Sequence, residues 1–389
     1  MNPDFWTAVF LFSLVFIGLT YFAFPILIVI WGKLFPRPVR KGPVELPVSL
    51  IVAAYNEEQG IEKKIKNCLR LNYPSNLLQI IFASDGSTDQ TNVIISKYAA
   101  RHPEIQFLQL PRRGKIFALQ EAVSRATGDI LIFTDANTHL DPNAINALIP
   151  NFADPEIGGV CGNQIHVNSR DMENIAEGEA FYWSLDKKIK MLESRGGSIV
   201  SADGALYAIR KSLFRMPDDV AVTDDFALST AVVEQGYRLV FEPDARAFEP
   251  PQDKVKMEFR RKVRIINRGL RGVILRKKLL NPFCYGFYSF TLFFHKIARR
   301  IIPFFLMFVF LVSLIQYSLG GWYAFLFWSQ VVFYGLALFS HLFRRQKWSR
   351  IKILYVPYFY CMANLAALIA CLQVMAGRRI RQWQPQRSA

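Results

Sequence analysis

Residues 48–58 read Val-Ser-Leu-Ile-Val-Ala-Ala-Tyr-Asn-Glu-Glu, and residues 80–89 read Ile-Ile-Phe-Ala-Ser-Asp-Gly-Ser-Thr-Asp. Each is a short apolar run rich in β-branched residues that stops at a polar turn. Apolar residues at helical spacing then follow: Ile61, Ile65, Cys68 and Leu69 after the first turn, Val93, Ile94 and Tyr98 after the second. The pattern continues with a strand over 105–110, a helix around 116–126 and a strand over 130–133. Such alternation predicts a parallel sheet covered by helices. Ligands of these sheets sit beyond the carboxyl ends of the strands. The polar residues gather there: Asn56 and Glu57, then Asp85 and Asp89, then Asp135 and Asn137.

Outward from this α/β core, the chain turns apolar. Residues 5–32 hold no charge, and about 20 apolar residues suffice to cross a bilayer. Asp4 precedes the run while Lys33, Arg37, Arg40 and Lys41 follow it, which predicts an uncleaved anchor with its C-terminal end in the cytoplasm. Residues 302–343 are again uncharged, long enough for two crossings with a turn at Gly320-Gly321. Residues 353–377 offer a further span, interrupted by Pro357. Basic residues flank it on both sides, at Arg344, Arg345, Lys347, Arg350 and Lys352 and at Arg378, Arg379 and Arg381. A full crossing cannot put both flanks inside. Either this segment is re-entrant, or the apolar run 279–294 also enters the membrane. The predicted organisation is therefore an anchor (1–35), a linker (36–47), a catalytic domain (48–253), a basic amphipathic helix (254–278), a membrane region (279–377) and a basic tail (378–389).

Composition narrows the function. The chain is 52% hydrophobic, which excludes a disordered protein, and its net charge of +16 suits an anionic partner: nucleic acid, lipid or a phosphorylated substrate. Its five cysteines form no C-x-x-C pair and none has a His at zinc-ligand spacing, so neither a disulfide framework nor a structural zinc site is expected. Residues 254–278 contain eleven basic residues and one acidic one. Phe259, Val263, Ile266, Leu270 and Val273 form an apolar stripe beside Arg260, Arg264, Arg268 and Arg271. A helix of this kind belongs at a membrane interface, and the flanking spans argue against nucleic acid as the partner.

The motifs Ala54-Tyr55-Asn56-Glu57, Ser84-Asp85-Gly86-Ser87-Thr88-Asp89, Gly114-Lys115, Thr134-Asp135-Ala136-Asn137 and Thr223-Asp224-Asp225 occur in this order. Together with the Arg-rich segment after them, they resemble the membrane-bound inverting glycosyltransferases of family 2. That family has a GT-A catalytic domain and includes the cellulose, hyaluronan and poly-N-acetylglucosamine synthases. The resemblance implies a nucleotide-sugar donor, a UDP-sugar, with Ala54, Tyr55 and Glu57 on the uridine and Asp85 on its base and ribose. Alternatively, Asp85-Gly86 simply turns while Asp89 caps the next helix. Lys115 matches a donor-binding lysine or is a solvated charge. Asp135 and Asn137 stand where the family has Asp-x-Asp, the seat of Mg2+ or Mn2+; Asn in place of Asp removes one negative charge and predicts weaker metal binding. His139, two residues beyond, reads as a ligand or as an ordinary polar loop residue.

Asp225 takes the position of the family's general base, with Asp224 in the place of its Glu. An inverting transfer needs such a carboxylate to accept the acceptor's proton. Both aspartates also suit a helix first turn. Asp203 and Gly204, within Ser201-Ala202-Asp203-Gly204-Ala205, resemble an acceptor-pocket loop, or form a plain turn. Processive members carry Gln-x-x-Arg-Trp where this chain has Arg261-Lys262-Val263-Arg264-Ile265. Arg264 matches and would face the diphosphate; Arg261 replaces the Gln and Ile265 the Trp. The expected activity is inverting, β-linking transfer by a protein of the bacterial inner membrane with its catalytic domain in the cytoplasm. The acceptor is a cell-envelope polysaccharide or a lipid, with membrane lipids and export or polymerisation proteins as partners. A non-catalytic nucleotide-sugar binding or transport subunit is the remaining alternative.

Overall fold

The computed structural model describes residues 3–166, 186–217, 219, 222–249, 255–343, 346 and 351–378, with only the main chain for 255–258. Of the residues that shaped the topology reading, Lys254, Arg344, Arg345, Lys347, Arg350, Arg379 and Arg381 lie outside the described residues.

Among the described residues, eight strands form one sheet. They are β1 (Val48–Ala54), β2 (Leu78–Asp85), β3 (Ile105–Leu110), β4 (Ile130–Asp135), β5 (His139–Leu140), β6 (Ile157–His166), β7 (Tyr207–Arg210) and β8 (Arg238–Glu249). Their order is β3-β2-β1-β4-β7-β6-β8-β5. The first four are parallel, as their alternation with helices predicts, and all seven residues of β1 are buried because helices cover both faces. Register sets Ala53 beside Asp135 and Ala54 beside Ser84, so three polar turns emerge at one edge. The order also reverses at β1, whose neighbours β2 and β4 lie on opposite sides. A crevice opens at such a switch point.

The second half of the sheet departs from the all-parallel expectation. β7 is antiparallel to both β4 and β6, and β6 runs parallel to β8 with two irregularities in register. The glycines of β6 explain the close packing there: a Cβ on Gly158 would meet Leu213, Tyr237 and Val232 at 2.6 Å, and one on Gly162 would meet Ala245 O at 2.8 Å.

Among the described residues, four helices are long and apolar enough to cross a membrane: Asp4–Leu34, Phe287–Ile315, Gly321–Leu342 and Lys352–Met375. The run at 279–294 is thus no separate span, since from Phe287 it continues into the helix that ends at Ile315. The C-terminal end of the last helix meets the basic helix and the second span: Arg271 donates to the Arg378 carbonyl at 2.6 Å, and the Cys371 thiol to the Arg300 carbonyl at 3.2 Å.

The basic helix Val255–Leu275 does not turn its apolar stripe to lipid. Val263 and Ile266 are buried against Ala366, Ala367 and Ala370 of the last helix, small residues that let two helices approach closely. Its other side touches the catalytic domain, where a Cβ on Gly272 would lie 2.5 Å from the Phe226 ring. This helix therefore couples a membrane helix to the helix Asp224–Glu234.

Candidate active site

One end of the site is built by the turns after β1 and β2. Asn56 adopts a left-handed φ of 51°, and its side-chain oxygen accepts from the Thr88 amide at 2.9 Å, tying the two turns together. Asp85 is buried and accepts from the backbone amides of Arg113 at 2.8 Å and Gly114 at 2.9 Å, and from the Arg112 guanidinium. Gly86 has a φ of 68°, and a Cβ there would come within 2.6 Å of the Arg112 amide. Arg112 also stacks on Tyr55, its guanidinium carbon 3.5 Å from the ring centroid. Asp85 thus organises the 112–114 loop rather than merely making a turn. Asp89 does cap the next helix, accepting from Thr91 N at 3.0 Å. Ala54 and Glu57 are both buried: the Ala54 side chain belongs to the core, and the Glu57 amide donates to Thr91 Oγ1 at 2.7 Å.

The other end lies at the tip of β4. Lys115, the first residue of the helix Lys115–Arg125, places Nζ 2.8 Å from Asp135 Oδ1 and 2.8 Å from Asp224 Oδ2. Burial alone would depress this ammonium, yet the two carboxylates hold it well above its ordinary value. Asp224 is pulled down in turn: its burial is outweighed by Lys115, with Arg268 adding to the effect. Asp225 shows the reverse. Burial first, and the Asp224 charge second, push its carboxyl up to about 6. Its Oδ1 accepts from Phe226 N at 2.7 Å in the first helical turn, where Thr223 is the capping residue.

Gly204 borders the gap between these acids. A Cβ at Gly204 would sit 3.4 Å from Asp135 Oδ2 and 3.7 Å from Asp225 Oδ2. The residue before it, Asp203, pairs with the buried Lys190, which also meets Asp186 at 3.1 Å. The loop is pinned to the catalytic helix, since the Ala202 amide donates to Ser229 Oγ at 3.0 Å.

These oxygens fit a hard cation. Asp135 Oδ2 faces the open side of the gap, and the partly exposed Asn137 stands two residues away. Among the described residues no group of three His, Cys, Asp or Glu is arranged to hold a metal. Were a Mg2+ or Mn2+ ion bound here, Asp135 would hold it with Asn137 beside it, and it would supply positive charge at the tip of β4. His139 starts β5, and burial with the charges of Lys64 and Lys63 depresses its pKa.

Two buried groups, Lys64 and Tyr207, escaped sequence reasoning, and a third, Arg268, was read only as part of the basic stripe. Lys64 is fully buried and donates to Thr134 Oγ1 at 3.0 Å and the Thr138 carbonyl at 2.7 Å, gripping the turn that carries Asp135. Its signal was present, because 61, 64, 65 and 68 form one helical face. Tyr207 is buried beside Phe133, and burial followed by Asp224, Asp225 and Asp135 keeps its phenol protonated, well above the usual range. Arg268, one turn beyond Arg264, donates from Nε to the Val222 carbonyl at 3.1 Å, just before Asp224 and Asp225. Arg264 is half-buried; burial, then Arg268 and Arg261, lower its pKa, and Arg261 is felt in turn at Glu249 on the end of β8. A cluster of arginines under mutual repulsion is suited to a diphosphate.

Comparison with known proteins agrees with this geometry. Residues 49–216 match the family model of glycosyl transferase family 2. Over 201 residues the chain is 32% identical to a poly-beta-1,6-N-acetyl-D-glucosamine synthase of Staphylococcus aureus, covering 50% of this chain and 48% of that protein. It thus spans about half the length of that relative. A probable glycosyltransferase of Bacillus subtilis, YdaM, is 27% identical over 287 residues, covering 66% of this chain and 65% of its own. The mannosyltransferase PcManGT from Pyrobaculum calidifontis, solved with GDP-Man and Mn2+, superposes with a TM-score of 0.69 at 21% identity, covering 95% of this chain and 100% of that one. At that identity the likeness concerns the fold, which is GT-A.

Proposed function

We propose that this chain, which carries a glycosyltransferase family 2 domain over residues 49–216, is an integral membrane glycosyltransferase that moves a sugar from a nucleotide donor, a UDP-sugar, to a cell-envelope polysaccharide with inversion. One observation supports this above the others: Asp225, with a pKa of about 6, sits beside an Asp224 already paired to Lys115. A base poised near working pH accepts a proton efficiently. The acceptor hydroxyl attacks the anomeric carbon as Asp225 takes its proton, and the nucleoside diphosphate leaves on the opposite face. Tyr55 and Asp85 hold the nucleoside, while Asp135, Lys115 and the Arg261–Arg264 stripe lie toward the diphosphate. A bound Mg2+ or Mn2+ would neutralise charge on the leaving diphosphate.

The apolar helices and the basic residues after Leu34 support a plasma-membrane protein with the catalytic domain on the cytoplasmic side. A single transfer to a lipid is the second reading, favoured by Ile265, which is exposed where processive relatives place Trp. Reconstitution in liposomes of native lipid with Mg2+ or Mn2+ and a panel of labelled UDP- and GDP-sugars tests both. A long labelled polymer supports the first, and a discrete organic-soluble product the second. Intact nucleotide binding without transfer from any donor would contradict both.

A further inference from the structure

The helix Phe287–Ile315 holds four ionisable residues in its N-terminal half: His295, Lys296, Arg299 and Arg300. A π-helical turn, Phe294–Ala298, breaks its regular spacing there. Such turns recur at functional sites because they re-aim side chains. Here the turn sends neighbouring residues to different tasks. His295 Nε2 lies 2.8 Å from the buried Glu193, and the charge of Arg299 is felt at Asp186. Lys296 instead reaches the ring of Phe226, 5.4 Å from its centroid, next to the catalytic Asp225. Its charge is felt at Asp225.

Among the described residues no carboxylate lies within ion-pair distance of Lys296, whereas Lys115 and Lys190, the other lysines of the site, each hold two. A lysine on a membrane helix persists where a partner meets its charge, and a ring contact is a weak partner beside a carboxylate or phosphate, so the position asks for an anion. Two facts say where the anion comes from. Lys296 is on the side of the base, and in an inverting transfer that is the acceptor's side, opposite the leaving diphosphate. It also sits on a membrane helix, where the uncharged stretch begins only after Arg300, so its level is that of lipid headgroups.

We propose that Lys296 binds the phosphate of a lipid-borne acceptor, a membrane lipid whose headgroup or attached glycan carries the accepting hydroxyl. This rests on Asp225 being the base. The phosphate meets the Lys296 ammonium while the hydroxyl meets Asp225 Oδ2. The hydroxyl oxygen bonds to the anomeric carbon, the bond from that carbon to the donor's phosphate oxygen breaks, and the proton passes to Asp225. Lys296 takes no part in the bond changes.

The test uses the full chain in phosphatidylcholine vesicles doped with radiolabelled phosphatidylglycerol, which has both phosphate and hydroxyls, or with diacylglycerol, which lacks the phosphate. Lipid retained by the protein after detergent extraction is counted, and UDP binding is measured alongside. The expected result is retention of phosphatidylglycerol over diacylglycerol, lost about tenfold or more in Lys296→Gln, kept in Lys296→Arg, with UDP binding unchanged. Equal retention by Lys296→Gln overturns the proposal. So does displacement of the lipid by inorganic phosphate alone, which would make the ligand a soluble anion, or weakened UDP binding in Lys296→Gln, which would assign the lysine to the donor. Asp225→Asn separates the two levels: unimpaired transfer in that variant refutes the base, whereas the further loss of lipid retention on adding Lys296→Gln to it reports on Lys296.

Discussion

Lys115 Nζ stands 2.8 Å from Asp224 Oδ2, one residue before Asp225, the base proposed above. The pair fixes which of two adjacent aspartates stays ionised. Asp224 is held below its ordinary value by the ammonium, and its charge, added to burial, lifts Asp225 to about 6. Two like residues thereby take different roles by environment alone.

The first consequence concerns pH. Asp225 accepts a proton only when ionised, so transfer should rise through pH 6 and fall about tenfold per unit below it. In Lys115→Met the Asp224 charge is unopposed, and the acid limb should move to higher pH whatever the loss in rate. A limb that stays in place would remove the link between the two residues.

Metal dependence should reside in Asp135. UDP binding to the native chain is expected to tighten on adding Mg2+ or Mn2+, and Asp135→Ala should abolish that gain while leaving metal-free binding intact. Titration calorimetry with and without the cation reads both. An equal loss in its absence would make Asp135 structural.

Lys64 should matter beyond its own position. Lys64→Met leaves the Thr138 carbonyl without its buried donor, which costs about 1–3 kcal/mol. Chemical denaturation should register that loss, and metal-linked UDP binding should weaken with it. Unchanged stability would mean that the 134–138 turn holds itself.

Gly204→Ala separates folding from chemistry. The new methyl would lie 3.4 Å from Asp135 Oδ2 and 3.7 Å from Asp225 Oδ2, ordinary contacts that the fold accommodates. It would nevertheless occupy the gap where donor and acceptor meet. The melting temperature should hold while transfer drops about tenfold or more.

The parallel half of the sheet was legible because β1, β2 and β4 are short apolar runs, each ending at an acidic turn. The antiparallel half was not. β6 contains Gly158, Gly159 and Gly162, and β8 is interrupted by Glu242-Pro243-Asp244, so neither shows a strand period; both are held by neighbours far away in sequence. The candidate acids were legible as motifs, while the difference between them needed the ion pairs of Lys115, which the sequence offers as a donor-binding lysine or a solvated charge and not as a partner of Asp224. His295 to Arg300 looked like a break between apolar runs. In the folded chain the helix continues through them, because Glu193 and the catalytic domain stand beside them to receive the charge. Similarly, the stripe Val263 and Ile266 signalled a membrane interface, and only packing reveals that Ala366, Ala367 and Ala370 cover it.

The most direct test is Asp225→Asn, assayed in liposomes for transfer and, separately, for UDP binding. Loss of a proton acceptor without loss of shape should leave nucleotide affinity as it is and lower transfer about 100-fold or more. Transfer at the native rate by that variant would contradict Asp225 as the base.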